Sequence, residues 1–180
     1  MPLSPSLALA FLRTSRRHLL GEYRPKIERC LDLLTDQDIW WRPDAGSNSI
    51  GNLVLHLSGN ARQWIVAGVD GQTDLRDRDY EFAEQGPLST ELLRARMASA
   101  LGEVEAALVS LEQRAAQDPA LLLERRTIQG MDVSVLEAIY HVVEHFSQHT
   151  GQILWITKMR TGSDLGFWVV DAEGARPNWG

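Results

Sequence analysis

The sequence predicts an all-α protein with the architecture of a four-helix bundle, and three observations support this. Four segments repeat apolar residues every three or four positions, which is the spacing of helices that bury one face. No stretch combines alternating polarity with β-branched residues, apart from residues 167–170. The 180 residues, of which 44% are hydrophobic, suffice for one sizeable core, so we expect a single domain over residues 1–180.

The first two predicted helices lie in the N-terminal part of the chain. The first covers about residues 7–34, and Pro25 predicts a kink or a restart within it because proline has no backbone N–H to donate. The second covers about residues 49–69 and follows residues 47–49, which offer capping side chains. Both helices are therefore long enough to run the length of a bundle.

The third and fourth predicted helices begin at recognisable caps. Ser89 can cap the third helix, which continues to about Arg114. The fourth helix opens with Ser134 and Glu137 in the spacing of a capping box, and it runs to about Met159. Four amphipathic helices of this length bury their apolar stripes most economically against one another as a bundle.

The predicted connections, residues 35–48, 70–87 and 115–132, are longer than in a simple bundle. Such lengths permit crossover connections or loops that cover a site. The charged run at residues 74–79 is interpreted as a solvated loop, with a lid over the site as the alternative. We expect the C-terminal tail, residues 163–180, to strap across the bundle or to join a subunit interface.

Charge and hydropathy exclude several classes of partner. The formal net charge is −6, and the 18 Lys and Arg are mostly scattered among 24 Asp and Glu, so the chain lacks the concentrated positive charge of a nucleic-acid-binding face. No run approaches the 18 or so apolar residues that a membrane span requires. Since the N-terminus also lacks the pattern of a signal peptide, we expect a cytoplasmic protein.

The single cysteine restricts the possible metal chemistry. Cys30 follows the apolar stripe of the first helix, so we interpret it as a core residue, and one cysteine excludes a site built on paired thiolates. Any metal must then be held by histidine and carboxylate. The five histidines of the chain are His18, His56, His141, His145 and His149.

Three of these histidines form a ladder on the fourth helix. His141, His145 and His149 are spaced four apart, so they line one strip beside the apolar face. Two histidines one turn apart can bind the same ion, but residues eight apart are separated by about 12 Å along the axis. His145 therefore belongs to the site with either neighbour, and the spacing alone leaves the choice between them open.

The third ligand must come from another helix, and His56 lies beside the apolar stripe of the second helix in a comparable position. Three imidazoles with an open fourth position favour zinc or another late divalent ion, as in metal-assisted catalysis. Asn60 and Gln152 lie near these strips and could orient a ligand or a bound water. Histidines packed in a core without metal are the alternative.

A second motif overlaps the ladder. His141, Glu144 and His145 match the H-x-x-E-H pattern of inverted zinc proteases, in which the glutamate activates water. The absence of strands and the short remaining chain argue against a protease.

The sequence resembles the DinB-like superfamily of damage-inducible and YfiT-type four-helix metalloproteins. The resemblance lies in NSIGNLVLHLSGN at residues 48–60 with Trp64 following, in HVVEHFSQHTGQI at residues 141–153, in WWRP at residues 40–43, and in residues 161–167. Together these motifs span most of the chain. The resemblance implies an up-down-down-up bundle, commonly a homodimer, that holds zinc or nickel.

Transferred by position, the resemblance implies the metal ligands His56, His145 and His149, and it leaves His141 as a neighbour of the site. Relatives include thiol-dependent transferases, so we expect a metal-dependent enzyme of the transferase or hydrolase type. Its substrate would be a small molecule, with a low-molecular-weight thiol as a possible cosubstrate. The alternative is a non-catalytic metal- or ligand-binding module of a stress response, because a fold alone does not determine chemistry.

Overall fold

The structure, a computed structural model, describes residues 5–86 and 88–179, and most of them are helical. The predicted predominance of helix is therefore confirmed. Residues 1–4, 87 and 180 of the predicted single domain lie outside the described residues.

The first long helical segment consists of α1 (Pro5–His18), a π-helical turn (Leu19–Tyr23) and α2 (Arg24–Asp32). The sequence predicted a kink or a restart at Pro25, and the π turn ends two residues before it. Proline cannot donate to the carbonyl one turn earlier, and its ring crowds that carbonyl. A wider turn at this point accommodates both effects without ending the helix.

The second long segment consists of α4 (Ile50–Ala61) and a π-helical continuation (Arg62–Val69). It begins at a capping box. The Ser49 hydroxyl accepts a hydrogen bond from the Asn52 amide at 3.1 Å, and the Asn52 side chain accepts one from the Ser49 amide at 3.1 Å. Both residues are fully buried, so the cap also fixes where α4 enters the core.

The third and fourth long segments are single helices, α6 (Thr90–Ala115) and α7 (Val135–Thr161). The predicted cap of α6 is confirmed, since the Ser89 side chain accepts from the Leu92 amide at 3.3 Å. The capping box of α7 is confirmed as well, with Ser134 and Glu137 bonded reciprocally. Gly162 ends α7 at a φ of 65°, the left-handed conformation that glycine adopts without strain.

Short elements lie between and after the long helices. Two are helices, α3 (Asp36–Ile39) and α5 (Arg78–Ala83), and Pro119–Leu123 forms a 3₁₀ turn. The structure also has two antiparallel hairpins, β1 (Arg125–Ile128) with β2 (Met131–Ser134), and β3 (Trp168–Asp171) with β4 (Gly174–Pro177). The sequence pointed to strand character near β3 but not to the β1–β2 hairpin, which lies in a predicted connection.

Polar contacts identify the first and third segments as neighbours. Arg16 Nε donates to Glu112 Oε1 at 3.0 Å, and Arg94 Nη2 donates to the backbone oxygen of Glu28 at 3.1 Å. The first segment also lies against α7, where Thr157 is close to the Cys30 thiol.

The second segment packs on α6 as well. Arg62 Nε donates to Glu103 Oε2 at 2.9 Å, and Arg114 lies 3.7 Å from a carboxylate oxygen of Asp70. Side chains from all four segments then meet in one apolar core, whose members include Leu12, Ile27, Leu57, Leu101 and Phe146.

The C-terminal tail lies against α2. Leu165 and Phe167 are buried, and the backbone oxygen of Gly166 accepts a hydrogen bond from Arg29 at 2.9 Å. The Lys26 ammonium lies 3.9 Å from the ring centre of Trp179, a cation–π contact.

In the part of the chain that the structure describes, every helix is too short or too polar to cross a membrane.

Candidate metal centre

The candidate site forms where α4 lies against α7. His56 projects from α4 and is 7% exposed, whereas His145 and His149 follow each other by one turn on α7. The apolar stripes of both helices face the core, and the histidines lie at the edges of these stripes. Packing of the two helices therefore brings the three imidazoles together.

The three rings meet through the same atom type. His56 Nε2 lies 3.0 Å from His145 Nε2, and His149 Nε2 lies 2.8 Å from His145 Nε2. One nitrogen of each ring lies within 4.8 Å of the others, a spacing that allows all three to bind one metal ion. The structure thus brings together the three histidines that the resemblance implied.

The opposite nitrogens of two rings contact acceptors. His56 Nδ1 lies 2.9 Å from Glu81 Oε2, and His149 Nδ1 lies 2.6 Å from Gln152 Oε1. Carboxylate and amide oxygens accept hydrogen bonds, so each Nδ1 carries the proton and donates. The Nε2 atoms of His56 and His149 then present lone pairs toward His145, as in histidines that coordinate a metal.

The donor set fits a divalent metal ion. His145 can donate from Nε2 to at most one of its neighbours, and its buried Nδ1 has no hydrogen-bond partner among the described residues. Burial, followed by the neighbouring His149 and His56, lowers the pKa of His145 to about 3, so its imidazole is neutral near pH 7. Neutral imidazole nitrogens are ligands of zinc, nickel and related ions.

The sequence did not reveal two charged residues of the site, Arg76 and Glu81. Glu81 lies on α5 and is buried, and the Arg76 side chain is 2% exposed. Arg76 Nε donates to Glu81 Oε1 at 2.8 Å, and its Nη2 donates to Glu81 Oε2 at 2.8 Å. The interpretation of residues 74–79 as a solvated loop is therefore wrong for Arg76, which is buried beside His56.

Electrostatics keep Glu81 ionised in this buried position. Burial by itself raises its pKa, but hydrogen bonds from Arg76 and His56 outweigh that effect, and the pKa lies below the ordinary value. The carboxylate is thus a negative acceptor for His56. Gly59 of α4 leaves the space for this carboxylate, because a Cβ there would clash with Glu81 Oε1.

The family of the chain follows from a comparison of its sequence. The family described as "Protein of unknown function (DUF1572)" matches residues 6–171. The chain belongs to DUF1572. No curated protein matches it. The match covers all three histidines of the candidate site as well as Arg76 and Glu81.

His141, the remaining member of the ladder, has a different environment in this DUF1572 protein. Its ring packs against Trp64 with 4.0 Å between the ring centres, and its Nε2 accepts from Asn60 Nδ2 at 3.3 Å. Asn60 therefore contacts His141 and not one of the three converging histidines. Gln152, the other residue expected near the ligands, does contact one of them, His149.

In the structure, Glu144 of the H-x-x-E-H pattern does not belong to the group of residues that could hold a metal ion. Glu144 is exposed and borders a surface depression together with Tyr23 and Tyr140, and no histidine lines that depression. The inverted-protease interpretation requires this glutamate to reach a metal-bound water. The geometry favours the histidine pair one turn further along α7.

A cavity of about 450 Å³ adjoins the site between α4, α6 and the connection that carries Arg76. Arg76 and Glu81 contribute to its lining and also contact His56, so the ion pair lies between the cavity and the histidines. The other lining residues include Gly59, Arg62, Tyr80 and Arg96.

Proposed function

We propose that this DUF1572 protein is a DinB-like protein that binds one divalent ion, zinc or nickel, through His56, His145 and His149. The observation that carries the proposal is the convergence of three Nε2 atoms, two of which are left unprotonated by acceptors on the opposite side of the ring. Neutral imidazoles in this arrangement gain more from a shared cation than from one another.

The fold proposed with this function is the up-down-down-up four-helix bundle. Contacts between the first and third segments join residues in opposite sequence order, which supports an antiparallel pair. Contacts between the second and third segments join residues in the same order, which supports a parallel pair. The second segment meets α7 in opposite order, through His56 with His149 and Trp64 with His141.

We propose further that the metal serves a thiol-dependent transferase or hydrolase reaction on a small molecule. When bound, a divalent ion supplies Lewis acidity, which polarises a substrate or lowers the pKa of a coordinated water or thiol. In this reaction the three histidines hold the ion, Gln152 orients His149, and Phe82 packs against His56 with 4.6 Å between the ring centres.

The thiol in this proposal comes from a cosubstrate. Cys30 is fully buried, and burial raises the pKa of its thiol, so it is neither accessible nor activated. A low-molecular-weight thiol could instead reach the histidines from solvent. The resemblance also leads us to propose a homodimer, which measurement of the mass in solution would test.

The test has two stages. The first is metal analysis of the purified protein, with His145→Ala as the variant that loses the ion. The second is an assay of the metal-loaded protein with a low-molecular-weight thiol and a panel of electrophiles and esters. Turnover that disappears in His145→Ala supports the enzyme. A stably bound metal without turnover would favour the non-catalytic module, and a protein that binds no zinc or nickel would refute the metal site.

A further inference from the structure

The most unusual group beside the histidines is the ion pair of Arg76 and Glu81. Both side chains are almost completely buried, at 2% and 6% exposure. Removing two charges from water is costly, and apolar residues in place of a buried ion pair often give equal or greater stability. Stability therefore does not explain why an ion pair lies here, beside Nδ1 of His56.

The hydrogen bonds of the pair restrict the protonation of His56. Arg76 is a donor only, and it occupies both oxygens of Glu81 from one side. The remaining partner of Glu81 Oε2 is His56 Nδ1 at 2.9 Å, which must donate. Arg76 Nη2 also lies 3.0 Å from that nitrogen, but since it cannot accept, the carboxylate alone can hold the Nδ1 proton.

The position of Glu81 is fixed by contacts with α4, the helix that also carries His56. Asn52 Nδ2 donates to the backbone oxygens of Glu81 and Glu84, at 2.9 and 2.8 Å. Gly59 leaves the room that the Glu81 carboxylate occupies. Helix α4 therefore carries the histidine, the anchor for α5 and the space for the carboxylate, so that the distance between Glu81 and His56 does not depend on the other long helices.

From this geometry we propose that Glu81, held by Arg76, is the positioning residue of His56. It fixes the tautomer with the proton on Nδ1 and so keeps Nε2 free to bind the metal. This inference rests on the proposed metal-binding function. Glu81 does not contact the metal in this scheme, because it lies on the opposite side of the imidazole from Nε2.

Glu81→Leu is the sharpest variant because it removes the acceptor and leaves an apolar side chain in its place. Arg76 Nη2, which lies 3.0 Å from His56 Nδ1, is then the hydrogen-bonding group left beside that nitrogen. A guanidinium only donates, so Nδ1 must become the acceptor and the proton must move to Nε2. The variant is therefore expected to reverse the tautomer, with the proton on the atom that would bind the metal.

The first experiment measures the tautomer of His56 in the metal-free protein by ¹H–¹⁵N correlation of its ring nitrogens. The wild type should have a protonated Nδ1 and Glu81→Leu a protonated Nε2. The matched control is Glu103→Leu, which removes an exposed carboxylate that pairs with Arg62 and leaves His56 as in the wild type. A wild-type protein with the proton on Nε2, or a folded Glu81→Leu that keeps the proton on Nδ1, would overturn the inference.

The second experiment measures Zn²⁺ affinity by competition with a chelator. Glu81→Leu should bind about 10- to 100-fold more weakly, the usual effect of losing such a partner. Gly59→Ala should also weaken binding, because its Cβ displaces the carboxylate without removing its charge, while Gly102→Ala, where a Cβ meets no atom within 4 Å, should not. Equal affinities across these variants would overturn the inference alone, whereas a wild type without Zn²⁺ binding would refute the proposed function and leave the tautomer experiment to decide the positioning role.

Discussion

The rings of His56 and His145 meet edge to face, and their Nε2 atoms lie 3.0 Å apart although 89 positions separate the two residues in the sequence. This contact joins α4 to α7 at the centre of the candidate site. His145 is also the only one of the three whose Nε2 lies within 3.0 Å of both others. Its removal is therefore expected to disrupt the site more directly than any other change on α7.

The first prediction compares His145→Ala with His141→Ala. The wild type should carry about one zinc or nickel ion per chain, and His145→Ala should retain less than about a tenth of that, because two imidazoles rarely hold such an ion tightly. His141→Ala should keep its metal, since His141 packs on Trp64 instead of joining the group. Metal analysis of the purified variants checks both. Loss of metal in His141→Ala but not in His149→Ala would reverse the assignment.

The second prediction concerns Gln152, whose Oε1 accepts from His149 Nδ1 at 2.6 Å. Gln152→Leu removes the acceptor and should weaken Zn²⁺ binding by roughly 10-fold, the lower end of the usual range because the residue is exposed. Gln152→Glu keeps an oxygen in reach and adds a negative charge, so it should bind at least as tightly as the wild type. Chelator competition measures both, and equal weakening in the two variants would contradict this role.

The sequence could predict the helices because each carries its own local signals. Apolar periodicity located all four long segments, and Ser89 and Ser134 were recognisable caps because capping depends on residues within three positions. The three histidines of the site were predicted partly from their spacing and partly from the resemblance. Spacing could not choose between His141 and His149, since the choice depends on which side of α7 faces α4.

The Arg76–Glu81 pair and the β1–β2 hairpin were not predictable for physical reasons. The ion pair forms only when a long connection folds back onto α4, and nothing local distinguishes Arg76 from the solvated charges around it. The hairpin turns at Gln129 and Gly130, whose φ values of 52° and 76° are both positive. Glutamine is an uncommon residue in that conformation, so the turn lacked the Asn-Gly or Asp-Gly signature.

The third prediction is that the metal-free protein loses stability as the pH falls from about 6.5. Burial lowers the pKa of His141, His145 and His149, and that of His145 falls from 6.5 to about 3. Below pH 6.5 the unfolded chain binds protons that the folded state cannot accept, so protonation favours unfolding. This stability is complete above pH 6.5 and is lost as the pH falls toward 3.

Denaturant unfolding at several pH values checks this prediction. Between about pH 6.5 and 5 the histidines should dominate, because the carboxylates with lowered pKa, Glu81 among them, titrate below their ordinary pKa of 4.5. His145→Gln should show a shallower pH dependence than the wild type, by up to one proton. An identical slope in the two proteins would contradict a neutral His145 in the folded state.

The last prediction concerns the packing of α4 against Trp40. A Cβ at Gly51 would lie 2.7 to 2.8 Å from three ring atoms of Trp40, whose Nε1 is itself held by a hydrogen bond to the backbone oxygen of Leu88 at 2.9 Å. A rigid indole with a fixed edge cannot yield as a flexible side chain would. Gly51→Ala should therefore destabilise the protein by about 1–3 kcal/mol, the usual cost of overpacking.

Gly102→Ala is the matched control for this change. Gly102 lies within α6, and a Cβ there meets no atom within 4 Å, so alanine should be neutral or stabilise the helix by up to about 1 kcal/mol. Thermal and denaturant unfolding of both variants measure the difference. If Gly51→Ala were as stable as Gly102→Ala, the indole of Trp40 would not be packed against the start of α4 as the structure has it.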